Sequence, residues 1–220
     1  MQIRLSLLML AVAAGISATA QQSQPQPCKG LACAEVQSAC HPWSGKRVGF
    51  IGDSMTDPNN NRLDIPYKYW HYLRQMLGIE PYVYGKSGRQ WDDVPRQAGL
   101  LKAEHGDSLD AVIVFIGTND FNAGVPIGRW YDELEDTVTA AVHGEKKVYM
   151  RKRRIPSIDQ ATLKGRINIA LMKLKTLFPD KQIVLLTPIH RAAAAFGDPH
   201  IQPDASWQNL CGENFSASVE

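Results

Sequence analysis

Three short segments gather the residue types that could do chemistry: Gly52-Asp53-Ser54-Met55-Thr56-Asp57, Gly85-Lys86-Ser87-Gly88-Arg89 and Gly117-Thr118-Asn119-Asp120. The chemistry they suggest is acyl transfer through a serine. A hydroxyl becomes a nucleophile when a base takes its proton, and neutral N–H donors then hold the oxyanion that develops. Ser54 supplies the hydroxyl, the amide of Asn119 is a neutral donor, and Gly88 allows a backbone N–H close to a substrate. Each residue also has a plainer use. Ser54 or Asp53 could cap a following helix, Gly88 could be a bare turn glycine, and Asn119 a turn residue that tolerates positive φ.

The order of these segments along the chain favours chemistry. Val48–Ile51, Tyr82–Tyr84 and Ala111–Ile116 are apolar runs, and each leads directly into one of the three segments. Such runs read as buried strands, and the carboxyl ends of strands in open α/β sheets are where ligands bind. Four strands are expected, over 46–51, 81–84, 111–116 and 182–187. Gln160–Phe178 reads as a helix with Leu163, Ile167, Ala170, Leu171, Leu174 and Leu177 or Phe178 on one face, stopped by Pro179-Asp180. Trp130–Val142 carries apolar residues at near-helical spacing. The basic residues around Val148-Tyr149-Met150 (Lys146, Lys147, Arg151, Lys152, Arg153, Arg154) read as a solvated hairpin arm, or else as a patch for anionic polysaccharide or a partner. No strand or amphipathic helix is expected over 191–220.

Taken together, the three segments resemble the sequence blocks of the SGNH (GDSL-type) serine hydrolases, and the resemblance spans roughly residues 46–210. It implies an α/β fold: a three-layer, flavodoxin-like parallel sheet. It implies Ser54 as nucleophile, with the N–H groups of Ser54 and Gly88 and the side chain of Asn119 as the oxyanion hole. It also implies carboxylic esters as substrates, acylated carbohydrates foremost, and neither metal nor cofactor. Tyr67, Trp70, Trp91, Phe121 and Trp130 could form a platform for sugar, or serve as core and pocket wall.

The family's last block, Asp-x-x-His, is missing. The residues three before His41, His71, His105, His143, His190 and His200 are Ser38, Lys68, Lys102, Ala140, Thr187 and Gly197. His190 follows the fourth strand and reads as a pocket residue, while His200 in Asp198-Pro199-His200 reads as a loop residue. A fifth strand, a last helix and the catalytic histidine are therefore expected to be lacking. The domain over 46–220 is read as cut short after its fourth strand, or as a degenerate, non-catalytic glycan-binding or scaffold protein on the same fold.

The first 20 residues read as a secretory signal: Arg4, an apolar stretch over Leu5–Ala14, and Ala18-Thr19-Ala20 at the cleavage site. The apolar stretch is too short for a membrane span, and residues 21–45 read as a linker. Export is the expectation, to the periplasm or the outside. Removing Arg4 takes the formal charge from +2 to +1, so charge argues for neither nucleic acid nor a membrane surface. An exported chain with four cysteines (Cys28, Cys33, Cys40 and Cys211) suggests disulfides, with three pairings open. One bridge within the N-terminal cluster and one to Cys211 would anchor both tails. The Asp57-Pro58-Asn59 segment fails as a calcium loop, since its sixth and twelfth positions are Arg62 and Lys68. Gly85-Lys86-Ser87-Gly88 is not the Gly-x-Ser-x-Gly elbow of α/β-hydrolases.

Overall fold

The structure is a computed structural model; it describes residues 41–60, 67–189, 194–196, 200–202 and 211–213. The expected signal sequence, nearly all of the linker, Cys28, Cys33, Cys40 and His190 lie outside these residues. The chain divides into two compact units.

The first unit runs to Gly88 and adds Leu100–Phe115 and Asp180–Leu186. It holds four strands, β1 (Arg47–Gly52), β2 (Glu80–Val83), β3 (Ala111–Phe115) and β6 (Gln182–Leu186), paired as an all-parallel sheet in the order β2-β1-β3-β6. These are the four strands expected, shifted by at most a residue at each end. The register places Gly49 beside Tyr82 and Val112, and Gly52 beside Phe115. Strand residues alternate between faces, and helices cover both. On one face Val48, Phe50, Ala111 and Ile113 form a buried cluster with Trp70 of helix α1 (Tyr69–Leu77) and with Ile79. On the other, Leu101 of helix α2 (Val94–His105) lies against Gly49 so closely that a Cβ there would collide with Leu101 Cδ2. The three-layer expectation holds for this unit.

The second unit comprises Arg89–Gly99, Ile116–Pro179 and Thr187–Glu220. It includes a 3-10 turn (Trp91–Asp93), a short helix α3 (Thr118–Asn122), an antiparallel hairpin of β4 (Tyr131–Val142) and β5 (Glu145–Pro156), and helix α4 (Leu163–Leu177). Helix α4 starts at Thr162, whose Oγ1 accepts the Gly165 N–H. It buries Leu163, Ala170 and Leu174, as the sequence pattern indicates. Asn168 Nδ2 donates to the carbonyls of Trp130 (2.8 Å) and Ser157 (2.9 Å), closing the base of the hairpin.

Two expectations are corrected here. Trp130–Val142 is not helical: Tyr131–Val142 forms β4 and turns back through His143-Gly144, both at positive φ (50° and 84°), as a two-residue hairpin requires. The near-helical spacing of Leu134, Val138 and Ala141 loses to β-branched content and to cross-strand charge. Glu133 faces Arg154, Glu135 faces Lys152 and Asp136 faces Arg151, so the basic run is paired with an acidic strand. The hairpin reading of that run therefore holds. Residues 191–220 are not free of strand either, because β7 (Ala194–Phe196) pairs with β8 (His200–Gln202).

The Gly49 contact yields a stability prediction. Gly49→Ala should destabilise by about 1–3 kcal/mol through overpacking, and Leu101→Ala alone by about 2–5 kcal/mol. Because the new methyl would occupy the space Leu101 vacates, the double variant should fall short of the sum of the singles by about 1 kcal/mol in urea melts. Strict additivity would show that the two positions do not share that space.

Candidate active site

Ser54 sits two residues beyond the end of β1, half-buried, in a single helix-like turn. Asp53 makes that turn. Its carbonyl accepts the N–H groups of Thr56 (3.0 Å) and Asp57 (2.9 Å), and its Oδ1 accepts that of Met55 (3.0 Å). Helix α1 braces the turn from outside. Trp70 Nε1 donates to the Thr56 carbonyl (3.1 Å), and the Tyr69 hydroxyl meets Thr56 Oγ1 at 3.1 Å. Burial pushes the Tyr69 phenol well above its usual range, so it remains a hydroxyl and a fixed partner.

The turn after β2 is fastened to the turn after β1. The Lys86 N–H donates to the Gly52 carbonyl (3.0 Å), and a Cβ on Gly85 would overlap Thr56. The decisive link is Asp57, only 3% exposed. Its Oδ2 accepts both the N–H and the hydroxyl of Ser87 at 2.8 Å, and its Oδ1 accepts the Asn59 N–H at 2.9 Å. Burial alone would raise the pKa of Asp57. The Ser87 and Asn59 hydrogen bonds and the charge of Lys86 outweigh it and hold the carboxyl below its ordinary value.

Gly88 follows directly, at φ +76°, a conformation that costs other residues about 1–2 kcal/mol. The space where a side chain would stand is open. Among the described residues, the backbone N–H groups of Ser54 and Gly88 donate to no protein acceptor. The structure thus brings Ser54 and Gly88 onto two linked turns of the first unit, with both N–H groups uncommitted.

Asn119 belongs to the second unit, in the first turn of α3. Its Nδ2 donates to the carbonyl of Arg89 (2.9 Å) and its carbonyl accepts Gln90 Nε2 (3.2 Å). Asp120 beside it is fully buried. One of its oxygens accepts the Trp91 N–H and the other Arg166 Nη1, each at 3.0 Å. Burial raises the Asp120 pKa, and the Trp91 and Arg166 bonds only partly offset it. Sequence reading found Asp57, Ser87 and Asp120 only as members of their segments. It missed Arg166 altogether, since one polar residue on a helix carries no local signal.

Of the described histidines four are engaged in local structure, and His200, expected in a loop, begins β8 opposite Phe196. His41 Nδ1 accepts the Trp43 N–H, His71 Nδ1 accepts the Lys68 N–H while its ring stacks on Trp70, His105 lies against Tyr82, and His143 forms the hairpin turn. Among the described residues, no imidazole is hydrogen-bonded to the Ser54 hydroxyl. Of the aromatic residues considered as a sugar platform, Trp70, Trp91 and Phe121 are buried in packing. Tyr67 stays 56% exposed, and Trp130 is partly exposed with Lys164 Nζ over its ring. Cys211 Sγ donates to the Gly124 carbonyl.

A parallel α/β sheet with these three segments after its first three strands defines the SGNH hydrolase class. The chain belongs to the GDSL-like lipase/acylhydrolase family, whose model matches residues 50–210. Among solved structures it is similar to one described as a possible lipase from Chitinophaga pinensis, with 20% identity and a TM-score of 0.54 over 79% of this chain and 62% of that one. It is also similar to a protein from Lactobacillus plantarum, with 22% identity and a TM-score of 0.53 over 80% of this chain and 69% of that one. At these identities the likeness is one of fold. The chain spans about three-fifths of the length of the Chitinophaga structure. No curated protein matches the sequence.

The Asp57 link generates a prediction with a definite sign. Asp57→Asn places an amide nitrogen or a single carbonyl against two Ser87 donors and should cost about 1–3 kcal/mol at neutral pH. A carboxyl held below its ordinary value stabilises the fold above about pH 4, and that contribution disappears as pH falls through the lower folded value. The stability gap between wild type and Asp57→Asn should therefore be constant from about pH 5 to 8 and shrink below about pH 4. A gap that widens on acidification would contradict the assignment.

Proposed function

We propose that this chain is an exported serine hydrolase of carboxylic esters, with acyl groups on carbohydrate as the substrate class. The observation that carries the reading is the pair of fastened turns: Asp57, through Ser87, links the turn that carries Ser54 to the turn that carries Gly88, and among the described residues neither N–H group has a protein acceptor, in a chain of the GDSL-like acylhydrolase family. In this reading Ser54 Oγ adds to the ester carbonyl carbon. The oxyanion is held by the N–H groups of Ser54 and Gly88 and by the Asn119 amide, the alcohol leaves, and water cleaves the acyl-serine. The exposed ring of Tyr67 suits a sugar face, and the amino-terminal Arg4 with its apolar stretch supports export.

A second reading rests on the histidine spacing. With no Asp-x-x-His in the sequence, the same fold could serve as a non-catalytic glycan binder or scaffold. An unassisted serine hydroxyl is a poor nucleophile near neutral pH, although oxyanion stabilisation and binding alone can leave a residual acceleration of about 10³–10⁴ over water.

Fluorophosphonate labelling separates the two. Wild-type protein should become phosphonylated on Ser54, and Ser54→Ala should not react at all. Asn119→Ala should keep the site but slow ester turnover by about 10²–10³-fold, the usual effect of losing one oxyanion donor. Wild-type protein that resists the reagent while still binding acetylated oligosaccharide would establish the non-catalytic reading.

A further inference from the structure

We propose that Arg166 is a positioning residue for Asn119, holding through one guanidinium both the backbone and the side-chain amide that the oxyanion role needs; this rests on the hydrolase reading above. Little holds Asn119 locally. Helix α3 has five residues, far too few to be stable through its own hydrogen bonds. The Asn119 side chain has two torsions, and the terminal one is soft. Its Nδ2 is directed by the bond to the Arg89 carbonyl. That bond fixes the amide only if Arg89 is itself fixed, and Arg89 is exposed.

The constraint comes from α4. Arg166 Nη1 donates to Gln90 Oε1 (2.7 Å) and to Asp120 Oδ1 (3.0 Å), while its Nε donates to the Gln160 carbonyl (2.7 Å). Through these bonds Arg166 steadies both segments that meet at Asn119. Gln90, the residue after Arg89, returns a hydrogen bond from Nε2 to the Asn119 carbonyl. Asp120, the residue after Asn119, accepts the Trp91 N–H and so holds the residue after Gln90. The ring of bonds runs Arg166–Gln90–Asn119 and Arg166–Asp120–Trp91, and it fixes the carbonyl to which the Asn119 amide points. The Arg166 side chain is 16% exposed and that of Asp120 is 0% exposed, so water competes poorly for these bonds. A planar fork meets several acceptors at once, which an ammonium does not do with the same geometry.

The test uses Arg166→Lys, which keeps the charge beside Asp120 but loses the fork, and Gln90→Ala, which leaves the buried ion pair intact. Lys164→Ala on the same helix is the control. In 1H–15N spectra, the side-chain amide pair of Asn119, assigned by its loss in Asn119→Ala, should shift in Arg166→Lys and Gln90→Ala and stay in place in Lys164→Ala. On p-nitrophenyl acetate, kcat should fall between roughly 10- and 10³-fold at unchanged KM in the first two variants. Asn119 signals that do not move in either variant, or an undiminished kcat, would overturn the positioning role. A wild type no faster than Ser54→Ala would instead overturn the hydrolase reading, and the amide signals would still decide the question of Arg166.

Discussion

The Asp57 carboxylate is the interaction on which the arrangement of the first unit depends. A parallel sheet in the order β2-β1-β3-β6 delivers the carboxyl ends of β1 and β2 next to one another, but a sheet specifies only where strands end. Beyond each end the chain enters a turn of Gly, Ser, Asp and Thr, residues with little apolar surface to pack. Asp57 supplies the missing constraint. It reaches from the β1 turn to the N–H and hydroxyl of Ser87 and to the Asn59 N–H, so three donors surround one carboxylate. A buried anion with that many donors is stable as an anion. With its oxygens taken up by these donors, the carboxylate fastens the two turns that carry Ser54 and Gly88.

The two units solve the same problem with carboxylates in opposite electrostatic conditions. Asp57 has three donors and Lys86 nearby, and its pKa is held down. Asp120 is fully buried, accepts one backbone N–H and one guanidinium, and has its pKa raised because the loss of water outweighs both. Arg166 is consequently more than a partner of convenience. Removing a counter-charge from a carboxylate already pushed toward neutrality leaves an uncompensated group in a dry site, which is where broken ion pairs cost most. The hairpin shows the contrary case. Its pairs of Glu133 with Lys152 and Arg154 and of Asp136 with Arg153 are exposed, and such pairs contribute little apiece. Their effect is on register: acidic β4 set opposite basic β5 disfavours slippage.

What could be read from the sequence divides along the same line. The four strands were legible because burial on both faces makes a parallel strand an unbroken apolar run, and Val48–Ile51 and Ala111–Ile116 are such runs. Helix α4 was legible from the spacing of Leu163, Ala170 and Leu174 and from Pro179 beyond its end. Tyr131–Val142 misled because Leu134, Val138 and Ala141 satisfy a helical spacing locally. The pairing that overrode it comes from a strand beyond the His143-Gly144 turn. The supporting contacts were not legible. Asp57 meets Ser87 across 30 positions, and Arg166 meets Asp120 across 46. No local pattern encodes a hydrogen bond of that reach.

The same contacts bear on which step of an acyl transfer would be demanding. Ser54 lies in a turn that holds two buried acidic residues, Asp53 before it and Asp57 three positions on. If Ser54 and Gly88 take the oxyanion role proposed above, their N–H donors are neutral and stand on turns already fastened, so little rearrangement is required. Removing the proton from Ser54 is a different matter. His41, His71, His105 and His143 serve turns, a helix start and ring packing, and none of the chain's six histidines follows an aspartate by three. In the reading proposed above, oxyanion stabilisation has neutral donors on fastened turns, whereas among the described residues no imidazole is hydrogen-bonded to the Ser54 hydroxyl to take its proton.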